Sequence, residues 1–238
     1  MRKFKVLSTK GLDPLLVEKA TENGIAIIEQ DAIRIRTIQT KEKWDEITRV
    51  LQSTISYAVF TSSNGVDAVK KYLSNYVNYL PVQWKIFCIS GRTRELLEKD
   101  SELFGSIEGT APNGVELAAV ILNSGVKDLL FFSGNRRRDE LPSILQAAGV
   151  QVHEVVVYET INTPVKAPEE VDGVMFFSPS AVESFFSVNQ LKENTVCFAI
   201  GSTTAASLEL FTKNKVYSSK EPTQEALLNH VIDYFKNR

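Results

Sequence analysis

Repetition is the feature that most restricts what this chain can fold into. Tyr57 to Val69 reads YAVFTSSNGVDAV, and Val171 to Phe186 reads VDGVMFFSPSAVESFF. Aligned without a gap, Thr61-Ser62-Ser63-Asn64-Gly65-Val66 falls on Phe177-Ser178-Pro179-Ser180-Ala181-Val182. In both copies an apolar run stops at hydroxyl residues and an amphipathic segment follows. That pattern predicts a buried strand, a tight polar turn and a helix, with Ser180 as a candidate N-cap in the second copy. Other landmarks recur in the same order. Leu7-Ser8 falls on Phe132-Ser133 and Gly24 on Gly149 at one constant offset, and Ile25 to Arg36 matches Val150 to Ile161. Ser90 to Thr93 is mirrored by Gly201 to Thr204, and Pro112-Asn113 and Pro222-Thr223 each open a helix. Residues 1–125 and 126–238 therefore read as an internal duplication. Each half reads β-α-extended-α-β-α-β-α-β-α, the signature of parallel α/β sheets, and the length suffices for two such domains.

Local signals agree with this frame. Asp13-Pro14 offers an N-cap and a first-turn proline, with Leu15, Leu16 and Ala20 on one face and Gly24 as the stop. Ile33, Ile35 and Thr37 alternate with Arg34 and Arg36, which predicts a strand wet on one side, unlike the fully apolar runs elsewhere.

Several function classes are excluded early. A net charge of −2 argues against an extended nucleic-acid surface. No segment approaches the ~20 apolar residues of a membrane span. The apolar run near the N-terminus is too short for a signal-peptide core, so a cytoplasmic setting is expected. Cys88 and Cys197 sit inside apolar runs, and His153 and His230 lie far apart, so inert buried thiols are expected and no metal cluster. There is no G-x-G-x-x-G after a strand, no P-loop and no G-x-S-x-G elbow. Neither a cofactor nor a metal is implied.

The strand ends carry the polar chemistry. Ligands of open parallel sheets sit outside the carboxyl ends of the strands, where helix N-termini also point. Those ends hold Ser8-Thr9, Thr61-Ser62-Ser63, Ser90-Gly91, Ser133-Gly134, Ser178 and Gly201-Ser202-Thr203. Hydroxyls and free amides there favour anions, and Lys10, Arg92 and Arg136-Arg137-Arg138 lie close behind. Each hydroxyl could equally be a simple cap, and the arginine run a solvated face. Tyr158 is a phenol on the extended connecting strand, where strand packing competes with acid chemistry.

FTSSNGV, FFSPSAV, GVQVHEVVVYET and the run AIGSTTAASL from Ala199 to Leu208 together resemble the uroporphyrinogen-III synthase family, over essentially the whole chain. The resemblance implies two similar doubly wound α/β domains, one of residues 1–32 plus 163–238 and one of 38–152. They would be joined by a two-stranded hinge, residues 33–37 and 153–162, with a cleft that opens and closes. The N-terminal βα unit would belong with the C-terminal half and the unit Lys127 to Gly149 with the middle of the chain. It further implies a monomer that takes hydroxymethylbilane, a linear tetrapyrrole polycarboxylate, removes its hydroxyl as water and closes the ring with the last pyrrole inverted. Positioning can supply much of such a barrier. Tyr158 matches the family's tyrosine proposed as general acid, and a phenol of ordinary pKa, about 10, stays protonated at neutral pH. Substrate carboxylates would be held by Thr61, Ser62 and Ser63, by Ser90, Gly91, Arg92 and Thr93, and by Ser133, Arg136 and Arg138. Ser178, Pro179 and Ser180, with Gly201, Ser202, Thr203 and Thr204, would supply the same function in the other half.

Two departures from the family stand out. Ser90 takes the place that Gly201 holds in the second half, and Ser8-Thr9-Lys10 replaces a common Thr-Arg pair, exchanging a bidentate binder for a point charge. Two rival readings fit the same architecture: a hinged two-domain protein that binds a small anionic solute, and an inactive synthase-like interaction module.

Overall fold

The structure, a computed structural model, describes residues 4–75 and 82–237. Contacts divide the chain into two compact units, Met1–Arg34 with Ile161–Arg238 and Ile35–Thr160. The first unit opens with β1 (Phe4–Ser8), α1 (Pro14–Glu22) and β2 (Ile25–Glu29), after which β3 (Ile33–Thr37) leads into the second. That unit holds α2 (Lys41–Leu51), β4 (Tyr57–Phe60), α3 (Ser63–Asn75), β5 (Trp84–Ile89), α4 (Arg92–Lys99) and the single turn α5 (Ser101–Phe104). It continues through β6 (Gly105–Ala111), α6 (Gly114–Asn123), β7 (Asp128–Gly134), α7 (Glu140–Ala147) and β8 (Gln151–Asn162). The chain then completes the first unit with β9 (Gly173–Phe176), α8 (Pro179–Phe186), β10 (Val196–Ala199), α9 (Ser202–Phe211), β11 (Val216–Ser218) and α10 (Gln224–Lys236).

Strand order displays the duplication directly. One sheet runs β11-β10-β9-β1-β2 and the other β3-β8-β7-β4-β5-β6. Apart from β3, the two orders correspond strand for strand. The pairs of β1 with β2 and β9, and of β10 with β9 and β11, are parallel. So are those of β4 with β5 and β7, β5 with β6, and β7 with β8. The N-terminal β-α-β piece thus joins strands from the C-terminal half, while β7-α7-β8 joins strands from the middle of the chain.

Parallel strands covered by helices bury both faces, which is why their sequences run apolar without alternation. In the second unit Phe60, Val66, Tyr72, Trp84, Phe132 and Val157 pack on one face of the sheet. Val59, Phe87, Leu117, Phe131 and Leu145 pack on the other. The first unit repeats the arrangement, with Val6, Met175, Phe198 and Phe235 in one cluster and Leu7, Phe176, Phe185 and Cys197 in the other. Both thiols are buried and unpaired, and burial pushes Cys88 up to about 11 and Cys197 up to about 12. At neutral pH they stay protonated and unreactive.

Four local expectations need correction. The helix of the second copy starts at Pro179, so Ser178 rather than Ser180 caps it, its hydroxyl accepting from the Ala181 amide at 3.2 Å. Proline suits that first helical position because its φ is preset and it has no N–H to satisfy. Residues 163–172 form no helix, so α2 has no counterpart in the other half. Pro164 and Pro168 there hold their preceding residues extended and remove two amide donors. The extended stretch Ile25 to Arg36 is not continuous but breaks at Gln30–Ala32, whereas its repeat is the single strand β8. At the break, the Gln30 and Ala32 amides turn back to the Ser8 and Thr9 carbonyls. Finally, β3 is not buried along one side: Ile35 is 41% exposed.

Candidate active site

Consider first the strand ends of the second unit. The neighbours β7, β4 and β5 end side by side, β7 closing at Gly134 before Asn135, β4 running into Thr61-Ser62 and β5 into Ser90-Gly91. The Ser62 hydroxyl accepts from the Asn64 amide at 3.2 Å and its carbonyl takes the Gly65 amide at 3.0 Å, so Ser62 closes the start of α3. At α4 the N-cap is Gly91, with no side-chain acceptor for the first-turn amides. Its φ of 79° is a left-handed value that a residue with a Cβ rarely takes, which accounts for glycine at this turn. Gly91 and Gly201 are the N-caps of α4 and α9, and relative to the strand before it α4 starts one residue later than α9. Counted from the strands, Ser90 still stands where Gly201 does: Cys88 and Ala199 face corresponding clusters two residues earlier, and Thr93 with Leu97 and Thr204 with Leu208 are the buried residues of the two helices. No side chain crowds the Gly91 cap.

Tyr158 joins this rim through an irregularity in the sheet. Along β7 and β8, Ser133 pairs with Val156 but Gly134 pairs with Tyr158, so the register slips by one residue at Val157. In a regular strand Val157 and Tyr158 would face opposite sides. Here both pack against the cluster of Phe60, Val66 and Phe132, since a bulge re-aims the residue that follows it. The phenol ring lies over the bare Cα of Gly134 and reaches the first turn of α3 beside Gly65. Its backbone is held as well: the Tyr158 carbonyl accepts from the Asn135 amide at 3.1 Å, and Asn135 Oδ1 accepts from the Thr160 amide at 2.8 Å. Tyr158 is half-buried. Its hydroxyl has no hydrogen-bond partner among the described residues and is not among their buried unpaired atoms, so it reaches solvent.

Three of the expected contacts are turned inward. Ser133 is 3% exposed and its hydroxyl donates to Glu154 Oε1 at 2.7 Å. Thr93 and Thr204 are 6% and 3% exposed, because they sit on the inward side of the first turns of α4 and α9. Of the arginine run, Arg137 forks onto both oxygens of Glu154, one at 2.6 Å, and also pairs with Asp139. Arg136 and Arg138 are exposed. The Glu154 carboxyl is held below the usual carboxylate range, first by hydrogen bonds from Arg137 and then by Ser133. Stability from such a group is full above its unfolded value and is lost as pH falls through the lowered folded value. Glu154→Gln is accordingly expected to lower the urea midpoint at neutral pH, and the gap from wild type should close toward pH 3. A gap constant with pH would contradict this.

In the first unit, β9 and β10 are neighbours, and their ends lead into Ser178-Pro179-Ser180 and Gly201-Ser202-Thr203. Helix α9 is capped by Gly201 without a side-chain acceptor, and Ser202 and Thr203 are exposed. The turn after β1 is different. Its Gly11 and Leu12 amides already donate to Asp31 at 2.9 Å and Glu29 at 2.6 Å, and the Gln224 amide bridges the Gly11 carbonyl and the Asp13 amide. The Thr9 hydroxyl is committed to the Met175 carbonyl, and that of Ser8 to the Lys10 carbonyl. Carboxylates of the chain itself thus fill the donors that an anionic ligand would need.

Among the described residues no group of histidine, cysteine and acidic side chains could hold a metal ion. No helix of the described residues is long and apolar enough to cross a membrane. The family model described as Uroporphyrinogen-III synthase HemD matches residues 15–229. The chain belongs to the uroporphyrinogen-III synthase family. Solved structures agree on the fold. A mutant uroporphyrinogen III synthase from the extreme thermophile Thermus thermophilus superposes with a TM-score of 0.73 at 15% identity, covering 99% of this chain and 100% of that one. The Helicobacter pylori enzyme gives 0.69 at 18% identity, with 98% and 100% covered. The wild-type T. thermophilus protein in its second crystal form gives 0.56 at 16%, with 98% of each chain covered. No curated protein sequence is significantly similar.

Sequence reasoning overlooked Gly134 as a platform and Arg137–Glu154 as a lock across β7 and β8. A glycine closing an apolar strand is the usual trace of a close backbone approach, and Gly134 carried that trace.

Proposed function

We propose that the chain is a uroporphyrinogen-III synthase of tetrapyrrole biosynthesis, cyclising hydroxymethylbilane with loss of water and inversion of the terminal pyrrole. The family match across residues 15–229 carries this reading. In it, the Tyr158 phenol protonates the departing hydroxyl. Its solvent access and its seat beside the α3 start support that role. Substrate carboxylates are taken by helix starts whose amides lack a side-chain acceptor, those of α4 at Ser90, Gly91 and Arg92 and of α9 at Gly201, Ser202 and Thr203. Thr61 to Ser63 and Ser178 to Ser180 contribute through hydroxyls and the remaining amides, and Arg136 and Arg138 through charge. Uncatalysed closure gives the uninverted isomer, so the chain's main work is to shape a flexible substrate before the bond forms.

Incubation with freshly made hydroxymethylbilane, followed by chromatographic separation of the type I and type III products, tests the reading. Type III product in excess over a protein-free control is expected. A mixture of type I alone removes the assignment.

A further inference from the structure

Glycine at position 134 is not there for its backbone. Its φ is outside the left-handed region, so an ordinary residue could take the same conformation. Space is what it provides. A Cβ built on Gly134 would lie 2.5 Å from Cε2 and 2.8 Å from the hydroxyl oxygen of Tyr158, and closer still to Cζ. Those are the atoms at the reactive end of the phenol, and the nearest obstacles are the ring itself rather than a flexible side-chain tip. Gly65, near the other edge of the ring, is less demanding. A Cβ there would stand 3.9 Å from Tyr158 Cε1, an ordinary contact, and 3.3 Å from the Phe132 carbonyl.

The surroundings leave the ring little freedom to yield. Asn135 donates its amide to the Tyr158 carbonyl and accepts the Thr160 amide on its Oδ1, and the bulge at Val157 turns the side chain toward Gly134. Before the bulge, the Glu154 fork to Arg137 and its bond from Ser133 tie β8 to β7. The strand is thus pinned on both sides of the tyrosine, and the ring comes to rest on Gly134, where there is no side chain to meet it.

We infer that Gly134 is the positioning residue of Tyr158: its missing side chain sets where the phenol hydroxyl stands. This inference rests on the proposed role of Tyr158 for its catalytic consequence, but not for its structural content. In Gly134→Ala the ring must leave its seat while the first-turn amides of α3 and α4 stay in place. A displacement of about 1 Å can cost on the order of 10²-fold in rate. Turnover should therefore fall by about that factor, with KM changed far less.

The test uses the full chain with 13C-labelled tyrosine rings, of which there are seven. The signal lost in Tyr158→Phe identifies Tyr158. In Gly134→Ala that signal should shift while the others stay, whereas in Gly109→Ala it should not move. A Cβ at Gly109 meets Val120 and Phe87 in the core, so that variant controls for a merely structural loss. An unmoved Tyr158 signal in Gly134→Ala overturns the inference. A shifted signal with turnover intact upholds the positioning and removes Tyr158 from the chemistry, so the two failures are distinct. Should Gly134→Ala not fold, Gly134→Ala with Tyr158→Ala settles the matter. Recovery of folding when the ring is deleted upholds the conflict, and no recovery refutes it.

Discussion

Tyr158→Phe is expected to lower kcat by about 10²-fold, at the low end of what a positioned general acid contributes. KM should change little, because a group that acts in the transition state lowers kcat and kcat/KM together. Folding should not suffer. The hydroxyl has no hydrogen-bond partner to lose among the described residues, and phenylalanine keeps the ring that packs on Gly134 and against the Phe60 and Phe132 cluster. Steady-state kinetics on hydroxymethylbilane and a urea midpoint on the same preparation separate the two effects. Loss of substrate affinity equal to the loss of turnover would point to substrate holding. An unchanged kcat would exclude Tyr158 as the acid.

Phe198→Ala is expected to cost about 3–5 kcal/mol of stability, the range for deleting a buried aromatic ring. Phe198 is fully buried on β10. It gathers Tyr217 at 6.0 Å, Tyr234 at 5.5 Å, Phe235 at 6.1 Å and His230 at 6.1 Å between ring centroids. The surrounding Tyr217, Tyr234 and Phe235 rings pack on one another, which limits how far they can collapse into the space. Probes can locate the damage. Both tryptophans of the chain, Trp44 and Trp84, lie in the second unit, against the Tyr72 and Phe132 rings. In urea, circular dichroism should register the loss of the first unit earlier than tryptophan fluorescence does. Coincident shifts would mean that the two units unfold together.

How much of this was legible beforehand follows from the range of each interaction. Apolar runs ending in hydroxyl residues marked β4 and β9, because a parallel strand covered on both faces must be apolar throughout. Asp13, Asn113 and Thr223 were readable as helix starts because a cap acts within three residues. Misplacing the second cap at Ser180 came from weighing serine preference above the fixed φ of Pro179. The short strand β11 and the single turn α5 carried too few residues to show a period.

Ser133, Thr93 and Thr204 illustrate the limit for the site. All three are hydroxyls at strand ends or helix starts, the right chemistry in the right place, yet each faces inward. One residue of rotation on a helix, or one partner such as Glu154, separates a ligand-facing hydroxyl from a buried one. Neither is encoded locally. The same holds for the turn after β1, where Glu29, Asp31 and Gln224 fill donors that the sequence leaves open.

By itself, the sequence determined that this is a duplicated α/β chain, which turns carry hydroxyls and glycines, and which family those turns match. The first two rest on period and spacing, properties of neighbours along the chain, and the third on the likeness of those turns to the family's. Only the tertiary structure decided which hydroxyls stay open, that β7 and β8 slip by one residue, and that Tyr158 rests on Gly134. Those depend on side chains meeting across strands distant in sequence, where a shift of one residue reverses which way a group points.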